Sequence, residues 1–330
     1  MPTGTPPSRA VAVLGATGCV GRQVCASFAR QRYDVLQIAR RPAPHLLDGH
    51  AFVPLDVAAA SARELADVLE SARVDVLVNA TGGWHVTEEA NEYAHVTLVE
   101  RFLGATALMR RTPRVVQVGT IHEYGPVPAG VPIDESVTPR PETAYARTKL
   151  AGAQAILRET RAGRAHGVVL RAVNVCGPYT TSASFLGSVT AMLRDAVPGQ
   201  ELVVNIADAE RDYIDARDLA EAVVRAASAP AVGQVVNIGR GEAVTMREAV
   251  ALLVSVAGFP ADAIREGSAA VSSKGGGWTQ ADIRLAGRLL GWHPRIGLRD
   301  SMRQMWRTAS VTPCEPARSA GPASLRRGNP

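Results

Sequence analysis

Tyr145 and Lys149 stand four residues apart in the stretch Tyr145-Ala146-Arg147-Thr148-Lys149. On a helix that spacing puts both side chains on one face. An ammonium beside a phenol favours the phenolate, so a group that titrates at about 10 is drawn toward the neutral range, where it exchanges a proton efficiently. The pairing is more telling because the chain is almost bare of lysine: of its 36 basic residues only Lys149 and Lys274 are lysines. In such a chain each lysine marks a position that wants a compact ammonium rather than a planar fork. A second constellation is Gly15-Ala16-Thr17-Gly18-Cys19-Val20-Gly21, which follows an apolar run. Glycines here permit a tight turn and a close approach of backbone to a pyrophosphate, and the free N–H groups of a following helix bind the anion.

Both constellations need elements to hold them. Apolar, β-branched runs at 10–14, 35–38, 74–78, 115–118 and 168–170 read as buried parallel strands. Between them, 18–30, 61–71, 88–109 and 143–160 carry Ala, Leu, Glu and Arg at helical spacing. The alternation predicts an α/β protein with a Rossmann-type doubly wound parallel sheet, the glycine loop lying in its first β-α-β unit. From about residue 176 the pattern is less regular, with Pro178, Pro198 and Pro260, short strands at 202–205 and 235–238, and helices at 246–257 and 282–290. We expect a cofactor-binding domain over 10–175 and a smaller mixed α/β substrate-binding region over 176–309, some of whose elements return to the first sheet. Residues 1–9 and 310–330, rich in Pro, Ser, Thr, Gly and Arg without periodicity, are expected to be disordered.

The end of the second strand selects the cofactor. NAD-specific proteins place a carboxylate there for the ribose 2′-hydroxyl, whereas this chain has Ala39-Arg40-Arg41. A guanidinium pairs with the 2′-phosphate of NADP through charge-assisted hydrogen bonds, which points to NADP held by Arg40 first and Arg41 second. After the third strand, Asp56 and Val57 are placed to meet the adenine.

Composition removes other classes. A chain of 330 residues with 46% hydrophobic and 20% charged residues is globular. The sequence has no apolar stretch long enough to cross a membrane, and a secretion signal is not expected. Cys19, Cys25, Cys176 and Cys314 lack paired metal-ligand spacing, so reduced thiols in a cytoplasmic protein and no metal site are expected. The net charge of +5 is spread among dispersed arginines, and 5% aromatic residues leave little for base stacking, which argues against nucleic acid.

The glycine loop taken with Tyr145 and Lys149 resembles the extended short-chain dehydrogenase/reductase family, in its nucleotide-sugar epimerase, dehydratase and ketoreductase branch. The likeness runs over residues 10–307. It implies that Lys149 also holds the nicotinamide ribose and that Gly119-Thr120-Ile121-His122-Glu123-Tyr124-Gly125 carries the hydroxyl, Thr120, that orients the substrate oxygen. Dehydratases of the branch have an acidic pair in the next two positions; Ile121 and His122 disfavour dehydration here, and His122 stands where related epimerase-reductases have an acid/base cysteine. Asn79-Ala80-Thr81-Gly82-Gly83 resembles the turn under the cofactor, with Ala80, Thr81 and Gly82 against it and Trp84 and His85 toward the sugar. His95 replaces an asparagine usual in the family. Asn174, in Leu170-Arg171-Ala172-Val173-Asn174-Val175-Cys176-Gly177-Pro178, and Arg211, in Arg211-Asp212-Tyr213-Ile214-Asp215, match positions that meet the sugar diphosphate, while Asn237 and Trp292 read as structural. The expectation is an NADPH-dependent ketoreductase of a nucleotide-linked keto-deoxysugar, at C4 of a 4-keto-6-deoxyhexose, forming a homodimer through the helices near 88–109 and 143–160. The alternatives are a nucleotide-sugar epimerase that borrows and returns a hydride, and a non-catalytic NADP-binding sensor.

Overall fold

A computed structural model of the chain describes residues 9–197, 201–273 and 275–309. Residues 1–8 and 310–330, Pro198, Cys314 and Lys274, on which expectations fell above, lie outside these. Strands β1 (Ala10–Leu14), β2 (Asp34–Ala39), β3 (Phe52–Pro54), β4 (Val74–Asn79), β5 (Arg114–Thr120) and β6 (His166–Ala172) come first. They are followed by β7 (Asn174–Cys176), β8 (Leu202–Val204), β9 (Glu210–Asp215), β10 (Val235–Ile238), β11 (Ala243–Thr245), β12 (Ile264–Glu266) and β13 (Trp278–Thr279). Seven of them form one parallel sheet in the order β10-β6-β5-β4-β1-β2-β3. Chain order reverses between β1 and β4, which opens a crevice at their carboxyl ends where α/β sheets take ligands.

Strand alternation decides what covers each face. Val11 and Val13 of β1 point to one side, where α1 (Cys19–Arg30) packs through Val24 and Phe28 and α7 (Ala216–Ser228) through Leu219 and Val223. Ala12 and Leu14 point to the other, onto Leu65 and Leu69 of α2 (Ala62–Ser71), Phe102 of α4 (Leu98–Leu108) and Ile156 of α5 (Ala144–Arg161). Burial on both faces is why the strands read as unbroken apolar runs.

The helix expected over 88–109 is interrupted. It runs as α3 (Glu88–Glu92), a π-helical turn (Tyr93–Thr97) and then α4. At this turn α5 approaches so closely that a Cβ on Gly152 would stand 2.4 Å from the His95 carbonyl oxygen. The widened turn sets His95, 3% exposed, against the Tyr145 ring, a placement near a candidate site that is typical of single π turns.

The second, mixed sheet has β11 antiparallel and β13 and β7 parallel to β9. It packs with α6 (Phe185–Arg194), α8 (Met246–Ala257) and α10 (Leu298–Thr308) around Leu186, Leu253 and Met302. Asp212 ties it to the first sheet, accepting the Arg240, Gly241 and Ala281 N–H groups at 2.9, 2.9 and 3.2 Å. Asn237 and Trp292 are structural: Tyr124 Oη donates to Asn237 Oδ1 at 2.9 Å, and Trp292 Nε1 donates to the Asp218 carbonyl at 3.1 Å. Between β13 and α10, α9 (Arg284–Leu290) closes the chain back toward α7.

Candidate active site

At the crevice the glycine loop turns from β1 into α1. Gly15 has φ +80°, and a Cβ on Gly21 would lie 2.0 Å from the Gly15 carbonyl oxygen, so neither position tolerates a side chain. The N-cap of α1 is Gly18, without a side-chain cap, and the first turn has no acidic residue, which leaves its N–H groups for an anion. Thr17 offers its carbonyl to His45 Nε2 at 3.2 Å, and Cys19 Sγ reaches the Pro178 carbonyl at 3.6 Å. Val20, Ala80, Thr81 and Gly82 line the same cavity wall. Sequence reading missed Arg22 in the first turn of α1, whose guanidinium lies 3.2 Å from the centroid of the Tyr179 ring. A cation at that end of a helix opposes its dipole, and that was the available signal.

Ala39 is buried and Arg40 and Arg41 are exposed at the end of β2, with no carboxylate between them. Partial burial, and after it the Arg40 charge, hold the His85 imidazole below its usual range. Asp56 accepts the Ala58 N–H at 3.2 Å and is hydrogen-bonded by Tyr93, while Val57 is buried behind it. The end of β2 thus carries cations at Arg40 and Arg41, and Asp56 adds a polar side chain, a lining that fits the adenosine end of a nicotinamide dinucleotide.

β5 delivers Thr120, and a single 3₁₀ turn (Ile121–Tyr124) follows at once. Thr120 caps that turn, its hydroxyl accepting the His122 N–H at 3.3 Å. Glu123 closes the box from below, accepting the Thr120 N–H at 2.9 Å. Fully buried, Glu123 is paired with Arg171 Nε at 2.7 Å, and the Arg171 guanidinium lies 4.2 Å from the centroid of the Tyr124 ring. This pair fixes the hydroxyl and was not recognised in the sequence, although Thr120 and Glu123 have capping-box spacing.

Tyr145 and Lys149 lie one turn apart on α5, as their spacing requires, and meet Thr120 across the crevice. The expected electrostatic relation between them differs. Burial pushes the Tyr145 phenol up to about 12, with the Thr120 hydroxyl bonded to it pulling the other way. Lys149 does not bring it down: its ammonium donates to the Val118 carbonyl at 2.7 Å and to the Thr81 carbonyl at 3.5 Å. Loss of water also lowers Lys149, to about 8, against the raising effect of Glu123. Desolvation sets the direction at both groups, against the Thr120 hydrogen bond at Tyr145 and the Glu123 charge at Lys149.

The phenol is held from two sides. The Trp84 indole stacks on its face, ring centroids 4.1 Å apart at 18°, and His95 meets its edge at 5.3 Å and 83°. His95 Nδ1 is bonded to Thr148 Oγ1 at 2.9 Å, and its Nε2 is buried. Burial and the Lys149 charge lower this imidazole to about 3. His122 stands edge-on to Trp84 at 6.0 Å and is lowered to about 4 by burial and by Arg211, so it is neutral at physiological pH. A neutral ring suits hydrogen bonding better than proton donation.

Thr120, His122, Tyr145, Lys149 and Trp84 line a cavity of about 590 Å³ together with Asn174, Phe185, Tyr213, Met246 and Arg211, a size that suits a large polar ligand. Among its described lining residues Lys149 and Arg211 are the charged ones, and none is acidic. The Asn174 Oδ1 is buried and unpartnered. Arg211, 2% exposed, is engaged by a strap over the cavity: it donates to Ser273 Oγ and to the Gly276 carbonyl, as well as to the Glu210 carbonyl at 2.7 Å. Gly275 of the strap lies against His122, where a Cβ would come within 2.3 Å of the ring.

Comparison with known proteins agrees with this architecture. The model of the NAD dependent epimerase/dehydratase family matches residues 11–239. The chain is 37% identical to a dTDP-6-deoxy-L-talose 4-dehydrogenase (NAD(P)(+)) of Kitasatospora kifunensis, over 94% of this chain and 98% of that protein. It is 26% identical to a GDP-6-deoxy-D-mannose reductase of Pseudomonas aeruginosa, over 69% and 78%. In fold it is similar to a UDP-glucuronic acid 4-epimerase of Bacillus cereus solved with UDP-glucuronic acid and NAD, with a TM-score of 0.79 at 20% identity over 91% of this chain and 99% of that one. The chain therefore belongs to the NAD-dependent epimerase/dehydratase family, in the extended short-chain dehydrogenase/reductase branch.

Proposed function

We infer the reaction from one observation: Thr120, Tyr145 and Lys149 line one cavity with Arg211, and none of its described lining residues is acidic. The chain is an NAD(P)-dependent enzyme of the nucleotide-sugar class, and our proposal is that it reduces C4 of a nucleotide-linked 4-keto-6-deoxyhexose with NADPH. A nicotinamide dinucleotide on the glycine loop supplies the hydride. Thr120 orients the carbonyl oxygen, its own position fixed by Glu123. Tyr145, kept protonated at neutral pH by burial, transfers its proton to that oxygen. Lys149, anchored on the Val118 and Thr81 carbonyls, holds the ribose. A phenol raised to about 12 suits the reductive direction, which needs the acid, more than the oxidative one, which needs the base. Support for C4 and for the 6-deoxy sugar comes from the 37% relative, named for that carbon and that sugar class; support for NADP comes from Arg40 and Arg41.

In this reading Gly15, Thr17, Gly18, Cys19, Val20, Gly21, Asp56, Val57, Ala80, Thr81 and Gly82 hold the cofactor, and Trp84, His122, Asn174 and Arg211 hold the sugar nucleotide. Residues 10–175 form the cofactor-binding domain, which also lends Trp84, His122 and Asn174 to the sugar, and 176–309 form the smaller substrate-binding region. A cytoplasmic homodimer through the helices near 88–109 and 143–160 completes the proposal. The test is nicotinamide absorbance on mixing the protein with nucleotide-linked 4-keto-6-deoxyhexoses and NADPH or NADH. Rapid loss with NADPH, reduced 10²–10⁴-fold in Tyr145→Phe, is expected. No loss with either cofactor across such sugars overturns the assignment, and NAD retained through purification would point to an epimerase.

A further inference from the structure

Arg22 stands in the first turn of α1, where its positive charge opposes the helix dipole. Side chains on a helix lean toward its N-terminus, so the guanidinium lies beside the N–H groups that follow Gly18. It is half-buried, and among the described residues the groups that act on its charge are Tyr179 and Cys19, with no carboxylate between them. A cation so placed, half out of water and against a dipole, is costly unless an anion completes it.

The loop after β7 holds this cation by its face. The guanidinium carbon lies 3.2 Å from the centroid of the Tyr179 ring. At that distance the flat of the group covers the ring, and its N–H edges are left for other partners. Tyr179 is itself fixed: it takes φ +64°, a conformation bulky residues seldom adopt, and its N–H donates to Thr308 Oγ1 of α10 at 2.8 Å. Two residues earlier Gly177, at φ +109°, lies so close to Asp215 that a Cβ would come within 2.8 Å of the carboxylate. Cys19, three residues before Arg22 and so on the same face of α1, reaches the Pro178 carbonyl at 3.6 Å. One face of the first turn is thus packed on the 177–180 loop.

We infer that Arg22 is a cofactor-binding residue whose N–H edges donate to the pyrophosphate at the start of α1, and that Tyr179 is the positioning residue that holds it there. The inference rests on the proposed use of a nicotinamide dinucleotide and adds to it a grip that the glycine loop alone does not supply. Charge-assisted bonds from Arg22 join the N–H groups of the helix on one anion. The 2′-phosphate is left to Arg40 and Arg41 at the end of β2, so the two sets answer to different parts of the cofactor. Because Tyr179 is anchored on α10, the hold on the cofactor is set from the substrate-binding region.

The test is binding rather than turnover. Dissociation constants for NADPH, NADH and adenosine 2′-monophosphate, which lacks the pyrophosphate, are measured by titration calorimetry on purified wild type and variants. Arg22→Met should weaken NADPH and NADH by the same factor, about 10- to 100-fold, the worth of hydrogen bonds to a charged group, and leave the monophosphate unchanged. Should Arg22→Met not fold, Arg22→Gln carries the same comparison. Tyr179→Leu should weaken both dinucleotides by about 3- to 30-fold, the range of a cation–π contact, while Tyr179→Phe, which keeps the ring face, binds as the wild type does. Unchanged dinucleotide affinity in Arg22→Met, a loss confined to NADPH, or an equal loss on the monophosphate overturns the role of Arg22. No loss in Tyr179→Leu, or an equal loss in Tyr179→Phe, overturns that of Tyr179. These results leave the reductase assignment standing, whereas a wild type that binds neither dinucleotide overturns that assignment and this inference together.

Discussion

Replacing Glu123 by Gln tests the reasoning about how Thr120 is placed. The Glu123 side chain is fully buried and Arg171 is 4% exposed, their closest approach being 2.7 Å. Gln keeps the shape and an oxygen that can accept the Thr120 N–H, so the change removes charge and little else. The Arg171 guanidinium is then buried beneath the sheet end without a counter-ion, a situation that costs about 3–5 kcal/mol. The effect should also reach the site, because the Glu123 charge raises Lys149. Without it, the alkaline limb of reduction, set by a Lys149 near 8, should move to lower pH. Stability is read by urea unfolding followed by tryptophan fluorescence, and the limb by kcat/KM against pH. The double variant E123Q with R171M should recover most of the lost stability, since a buried pair exchanged for apolar groups is often neutral. A single variant within 1 kcal/mol of the wild type, on the order of a surface change, would refute the buried-pair argument. An unmoved alkaline limb would refute the coupling to Lys149.

Arg40→Ala should lower kcat/KM for NADPH by about 10- to 100-fold through the loss of charge-assisted bonds to the 2′-phosphate. It should leave NADH nearly unchanged, and an unchanged NADPH-to-NADH ratio would remove Arg40 from cofactor choice. His95 is lowered to about 3, so the folded protein refuses a proton that the unfolded chain accepts at about 6.5. Its contribution to stability is complete above pH 6.5 and is lost as the pH falls toward 3, at up to about 1.4 kcal/mol per pH unit. In His95→Gln the slope of unfolding free energy between pH 6 and about 4 should flatten, as followed by urea midpoints at each pH.

What the sequence disclosed was local. The loop from Gly15 to Gly21, the strand before it and the helix after it are specified by neighbours in the chain, and the one-turn spacing of Tyr145 and Lys149 needs only a helix. What it withheld depends on long-range approach. The ionisation of Tyr145 is decided by how much water the surrounding elements exclude, which no spacing encodes. The partner of Glu123 lies 48 residues on, and Arg211 reaches Ser273 62 residues on. The π turn at His95 follows from the approach of Gly152 on another helix. Trp84 was placed toward the sugar by resemblance, but its stacking on Tyr145 was visible only once the fold brought two distant loops together.

The chain leaves the first sheet after β6, builds much of the second sheet, and returns to lay α7 on one face and β10 along the β6 edge. The two halves are thus stitched and cannot be exchanged like beads. A fragment ending at Val175 would bare an open strand edge and an apolar face, an invitation to aggregate. Recruiting a new sugar to this scaffold is therefore a matter of altering side chains and loops in place, because grafting a foreign second half would unravel the first.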